Sequence, residues 1–283
     1  MSSLPAGAFG EFYYSHGCGE PYGRSRAWTD LFDHVSGRII TDLAPARVLD
    51  AGCAFGLLVE ALRRKGVEAY GIDISEYAIS QVAAEVKPYC RVASAGQPLE
   101  EMYDLIVTIE VLEHMPPAEA ERAVENFCRH ANRVLFSSSP EDYGEATHIN
   151  VHPPEYWAEK FARYGFYRDV DFDASFLTPW AALFRRVDMP PHRLAAGYER
   201  RFWQLWKENT ALRATVLDDQ ARLAQNEQDL RALRSANEAL VSEKEAAAVE
   251  VAALTGQVAD LRGSPIVRNA IRLRAALHTL LRR

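Results

Sequence analysis

A few side chains in this sequence are of types, and at spacings, that do chemistry. Asp50 ends the apolar run Val48–Leu49 and is followed by the turn A-G-C-A-F-G, which carries Gly52 and Gly56. Asp73 ends a second apolar run, 21 positions after Gly52. Two strands, each ending in an acid and joined by a glycine turn and a helix, form a unit that binds nucleotide-type ligands at its carboxyl end. Glu110, Glu113 and His114 form E-x-x-E-H, and His148 and His152 follow in T-H-I-N-V-H. Imidazoles titrate near neutrality, so His114 suits removal of a proton from a hydroxyl. Carboxylate oxygens and imidazoles also suit a divalent ion such as Mg2+, which makes Glu110, Glu113, His114 and His148 a candidate metal set. A structural histidine capping a short helix is the plain alternative for His114.

The position of Asp50 selects among nucleotide-type ligands. A dinucleotide places a pyrophosphate over such a turn, and an acid two residues before the first glycine repels it. The glycines here are also spaced G-x-x-x-G rather than G-x-G-x-x-G. A ligand with a positive centre, an ammonium group and no phosphate fits better, and S-adenosylmethionine has those features. Asp50 is then expected near its methionine end. Gly52 and Gly56 are expected to admit the ligand to the backbone, and Asp73 to accept from the ribose hydroxyls.

Three blocks, V-L-D-A-G-C-A-F-G (48–56), G-I-D-I-S (71–75) and Y-D-L-I-V-T-I-E-V-L-E-H-M (103–115), resemble class I S-adenosylmethionine-dependent methyltransferases of the kind associated with bacterial glycan biosynthesis. The resemblance spans about residues 12–186. It implies an α/β fold: a Rossmann-like seven-stranded sheet with helices on both faces and an antiparallel hairpin at its end. It adds Cys53, Phe55, Ile74, Ser94 and Glu110 to the expected cofactor contacts. E-x-x-E-H also resembles ubiquinone-pathway O-methyltransferases and small-RNA ribose methyltransferases, in which it implies a divalent ion holding the acceptor hydroxyls.

These residues need elements to position them. Strands are predicted at 47–51, 68–73, 89–93, 103–109, 132–137, 166–172 and 180–187, with helices at 27–43 and 57–65. Residues 46–190 form the predicted catalytic domain, closed by Pro190–Pro191. Residues 1–45 read as a lid, rich in Tyr, Gly and Arg. Tyr22 and Arg24 are its candidates, with Arg24 facing the methionine carboxylate or a substrate anion. H-I-N-V-H-P-P-E-Y-W (148–157) reads as an acceptor wall of His148, Asn150, Tyr156 and Trp157, with aromatic faces suited to a sugar ring; core packing for Trp157 and a loop cap for Asn150 are the plain alternatives.

From 198 to 262 proline is absent and the pattern becomes heptad. Phe202, Val216, Leu223, Leu230, Val251 and Val258 fall at position a, with Leu205, Leu212, Leu233, Leu240, Leu254 and Leu261 at d. This predicts a long coiled coil. Asn209 and Asn237 at a favour a parallel pair, and hence a homodimer. The tail, 263–283, carries Arg268, Arg272, Arg274, Arg282 and Arg283 and no acid, with apolar residues interleaved. It reads as a basic amphipathic helix for a membrane surface, or for a protein contact such as a glycosyltransferase.

Composition sets outer bounds. The chain has 283 residues, a net charge of −7, 48% hydrophobic and 25% charged residues. The negative charge argues against a broad nucleic-acid surface. No signal segment and no spanning run is visible, and the four cysteines are scattered, so a cytoplasmic protein, peripheral at the inner membrane face, is expected. The leading expectation is O-methylation of a sugar hydroxyl of a surface glycan. O-methylation of a small phenol or quinone precursor is the enzymatic alternative. A cofactor-binding coiled-coil scaffold without turnover is the alternative of another class.

Overall fold

A computed structural model describes residues 7–17 and 21–280. Within the unit that ends at Phe202, seven strands form one sheet in the order β3-β2-β1-β4-β5-β7-β6. They are β1 (Arg47–Ala51), β2 (Glu68–Asp73), β3 (Cys90–Val92), β4 (Leu105–Ile109), β5 (Arg133–Ser137), β6 (Phe166–Arg168) and β7 (Ala182–Arg186). The first five run parallel, whereas β7 pairs antiparallel with both β5 and β6.

The parallel strands are buried on both faces, so their sequences are continuous apolar runs whose side chains alternate between two cores. Leu49, Ile106, Val134 and Phe136 point to one face, where α5 (Pro117–His130) and α6 (Pro154–Ala162) bring Phe127, Trp157 and Phe161. Val48, Leu105, Val107 and Leu135 point to the other, where α2 (Arg26–Leu43) and α3 (Leu57–Arg64) bring Val35, Ile39, Leu58 and Leu62. Two short helices, α1 (Glu11–His16) and α4 (Glu76–Ser80), lie over the carboxyl end of the sheet, where Tyr14 and Ala78 share a small third core with Phe55.

The sixth strand is shorter than the predicted 166–172, because the chain leaves the edge after Arg168. Phe172, Phe176 and Leu177 turn in to pack on the α2–α3 side. Pro191 does not punctuate a domain end. It opens α7 (Pro191–Gly263), a first-turn position where a missing N–H costs nothing.

The second unit starts at Trp203 and holds the rest of α7 and α8 (Pro265–Leu280). Every residue of α7 from Phe202 onward is exposed, including the a and d residues. Ser264 separates the two helices, and its hydroxyl caps α8 by accepting from Val267 N at 3.3 Å. No helix among the described residues is long and apolar enough to cross a membrane. Cys53, Cys90 and Cys128 are free thiols, while Cys18 and the tail residues Arg282 and Arg283 lie outside the described residues.

Candidate active site

A cleft of about 1130 Å³ opens at the carboxyl ends of β1, β2 and β4. Strand order reverses between β1 and β4, so neighbouring connections leave on opposite faces and a crevice remains between them. Asp50, Asp73 and Glu110, at the ends of these three strands, all line it.

The turn after β1 is built for close approach. Gly52 has φ +94°, and a Cβ there would lie 2.2 Å from Val111 Cγ2. Its N–H and that of Cys53 both donate to Ile72 O, at 2.8 and 3.0 Å. Ala54 also has a positive φ of 46°, and its N–H donates to Asp73 Oδ2 at 2.8 Å. Ser75 N–H donates to Asp73 Oδ1, also at 2.8 Å. Both oxygens of Asp73 thus brace the site, and each keeps a second lone pair for a ligand hydroxyl.

The electrostatics are one-signed. Burial and then the charge of Asp73 push Asp50 up to about 8. Burial raises Asp73 as well, against three backbone N–H groups that favour its charged form. Among the described residues, no Lys or Arg lines the cleft. A cationic ligand therefore relieves this acid cluster, while a phosphate aggravates it. These features fit S-adenosylmethionine: a backbone cradle open only to glycine, acids for the charged end, and Asp73 for the ribose diol.

Cys53, Ile74 and Ser94 line the cleft, as do Tyr22 and His148. Two turn residues do not. Phe55 is buried against the N-terminal segment, with its ring 4.9 Å from Tyr14 and 5.2 Å from Tyr22. Gly56 starts α3 and lets it pack closely, since a Cβ there would lie 3.2 Å from Cys90 Sγ. Arg24 also stands off the cleft, because Glu60 of α3 captures it at 2.7 Å.

The acceptor end forms around the 3-10 turn Leu112–His114. Glu110 precedes this turn in a left-handed conformation (φ 52°) that few residues adopt without glycine. Trp180 Nε1 donates to Glu110 Oε1 at 2.9 Å, and Ser137 Oγ donates to the same oxygen. Glu113 is fully buried: Oε1 accepts from Ser139 N at 3.2 Å, while Oε2 has no hydrogen-bond partner. Burial, and next the charge of Glu110, hold Glu113 well above the usual carboxylate range.

His114 Nδ1 lies 3.3 Å from Thr147 O, and Nε2 lies 3.4 Å from Tyr13 Oη. A carbonyl only accepts, so this contact assigns the proton to Nδ1 and the lone pair to Nε2. Burial, then the charge of His148, lower His114 to about 4, so it is neutral at neutral pH. Donor atoms of Glu113, His114 and His148 lie within 4.8 Å of one another, as do those of Asp142, Glu145 and His148. The orphaned buried Oε2 of Glu113 makes the first of these groups fit a divalent ion. Glu110, engaged by Trp180 and Ser137, is not in either group.

Asn150 and Tyr156 do not line the cleft. Asn150 is buried and clamps the 3-10 turn: its Nδ2 donates to Leu112 O at 3.1 Å and its N–H to Glu113 O at 2.8 Å. Tyr156 stacks on His152 at 3.7 Å, and Trp157 fills the core at 2% exposure. This part of the cleft is instead lined by Phe9, Tyr13, Met115 and Trp180, with Asp142 and Glu145 at the loop after β5. Tyr13 lay within a segment singled out for its tyrosines. Trp180 carried no local signal, because its role depends on a contact 70 residues away.

Comparison with known proteins agrees with this architecture. Residues 22–169, just over half of the chain, match the family model described as a methyltransferase domain. The ubiquinone biosynthesis O-methyltransferase of Acinetobacter baylyi is 30% identical over 129 residues, which cover 41% of this chain and 51% of that protein. The enzyme of the same name from Alkalilimnicola ehrlichii is 33% identical over 141 residues, 44% of this chain and 56% of its own. The chain thus spans about half the length of these curated relatives. A solved magnesium protoporphyrin IX methyltransferase from Synechocystis PCC 6803, with bound S-adenosylmethionine, aligns with a TM-score of 0.49 at 22% identity, covering 66% of this chain and all of that one. The chain therefore belongs to the methyltransferase-domain family.

Proposed function

We propose that this chain is an O-methyltransferase of a small aromatic hydroxyl compound, a phenol or quinone precursor. The observation that carries this reading is the aromatic and thioether wall of Phe9, Tyr13, Met115 and Trp180 around the neutral imidazole of His114. Flat aromatic acceptors pack edge-to-face or offset against such walls. The names of the curated relatives support the same class. The sugar reading drew on His148, Asn150, Tyr156 and Trp157; His148 lines the cleft, whereas the other three serve the turn and the core.

S-adenosylmethionine, when bound, supplies a methyl group on a positively charged sulfur. The protein's own work is alignment and proton removal. Asp73 and the Gly52 turn hold the nucleoside end, and Asp50 faces the charged end. The Nε2 lone pair of His114 takes the hydroxyl proton, with Tyr13 yielding that position to the acceptor. Trp180 and Ser137 hold the Glu110 carboxylate beside the site. Alternatively, Glu113, His114 and His148 would hold a divalent ion; the His114 lone pair would then be a ligand rather than the base, and the ion would acidify the acceptor hydroxyl in its place.

The long α7 serves as a parallel two-stranded coiled coil in this reading. Its exposed heptad seam is otherwise an uncovered apolar stripe, interrupted at d by Asp219 and Asn226, and charged pairs such as Glu227–Arg231 at 3.8 Å stand beside it.

The test is formation of S-adenosylhomocysteine by the full chain with simple catechols, and with monosaccharides in parallel. Turnover on catechols, lost in Asp73→Ala, supports the reading. Turnover confined to sugars returns the acceptor to the glycan class. Tight donor binding with no turnover on any hydroxyl compound makes the chain a scaffold.

A further inference from the structure

We propose that α8 is a surface anchor for anionic lipid membranes. Ile266, Ala270, Leu273 and Leu277 recur at spacings of four, three and four, which places them in one stripe along the helix. Ile266, Leu273 and Leu277 are 81%, 64% and 54% exposed. Arg268 and Arg272 stand four apart on the opposite side, and Arg274 lies at a flank. The helix contains no acid. Ser264 and Pro265 begin it anew after α7, with its own cap, so its face is set independently of the heptad seam.

Charge decides between the two occupants such a stripe could take. A second copy of α8 would bring arginines beside arginines with no carboxylate to pair with. The α7 seam differs, because acids and bases interleave along it. An anionic surface answers both features of α8 at once. Acyl chains take the leucine stripe, and lipid phosphates take the arginines, each of which adds attraction within a Debye length of the surface. The chain as a whole carries −7 and is repelled by such a surface. An all-cationic segment concentrated at one end overcomes that repulsion locally. The helix is too short and too polar to span, so it lies in the headgroup plane.

The experiment is co-sedimentation of the full chain with vesicles of phosphatidylcholine alone, or with about 30% phosphatidylglycerol, a composition giving a negative surface potential. The expected result is binding to the anionic vesicles only. It should weaken at least about tenfold when salt shortens the Debye length from ~10 Å to ~3 Å. Leu273→Asp with Leu277→Asp should abolish it, and Arg268→Ser with Arg272→Ser should weaken it. Because these side chains are exposed, the variants should keep the parent's melting temperature and its mass by light scattering. Equal binding to neutral vesicles, or binding that survives the leucine substitutions, overturns the proposal. So does no binding to either vesicle together with a fall in mass in the leucine variant, which would give the stripe to a second copy.

Discussion

Asp50 is held neutral by its surroundings until about pH 8, so a cationic ligand must draw a proton off it. Below that value, affinity for S-adenosylmethionine should rise with pH, by up to about tenfold per unit, and level off near pH 8. Asp50→Asn should flatten the profile, as titration calorimetry at several pH values would show. The free protein should behave in the opposite sense. Between about pH 6.5 and 8 the folded state keeps a proton on Asp50 that the unfolded chain has lost, so stability falls as pH rises. His114, lowered to about 4, acts only below that window. A melting temperature that climbs from pH 6.5 to 8 would contradict the assignment. Gly52 carries a second prediction. Ala there meets Val111 and holds a left-handed backbone, at a cost of about 2 kcal/mol or more, read as a lower melting temperature. Adding Val111→Ala should recover only the steric part.

Asp50, Asp73 and Gly52 of the cleft stand out in the sequence because each is defined by its neighbours, whereas Gly56, read as a second point of ligand approach, instead lets α3 pack. Asp50 and Asp73 end apolar runs, and Gly52 sits one turn-length from the first. Residues whose roles depend on distant contacts do not stand out. Arg24 is an unattached cation by sequence, yet Glu60, 36 positions on, claims it. Tyr156 and Trp157 look like a sugar platform in one dimension, but α6 turns Trp157 into the core.

At the scale of elements, the acceptor end depends on the loop before β7 reaching back to β4. Trp180 is the link, through one hydrogen bond to the Glu110 carboxyl group. Trp180→Phe should forfeit about 1.5 kcal/mol of that support and lower kcat about tenfold, with donor affinity nearly unchanged. Steady-state kinetics beside calorimetry separates the two; a loss of donor affinity equal to the loss of kcat would place Trp180 with the cofactor instead. The elements themselves were read closely from periodicity where strands are doubly buried. The misreadings lie at 166–172 and at Pro191. A half-exposed edge strand gives a weak apolar run, and a proline can begin a helix as readily as it can end a domain.

At the scale of the whole molecule, the proposed coiled coil would make the α7 seam set the number of copies. Light scattering should give twice the mass of one chain, and Leu230→Asp with Leu233→Asp should reduce it to a single chain while the melting of the catalytic unit stays unchanged. Asn237→Leu should raise the melting temperature of the helix and loosen its preference for two strands. A monomeric parent would leave the exposed stripe to some other partner.

The carboxylates on the floor of the cleft also bear on how the enzyme is shut off. The spent donor keeps the ribose and adenine, and with them every contact to Asp73 and the Gly52 turn, but its sulfur is neutral. Both forms keep the ammonium group, so the charge on Asp50 and its neighbours favours fresh donor over spent through the sulfur alone. As pH falls below about 8 and Asp50 gains its proton, that distinction fades. The protein should therefore become progressively more sensitive to inhibition by its own by-product in mildly acidic conditions. Its turnover would then track how quickly the cell clears S-adenosylhomocysteine.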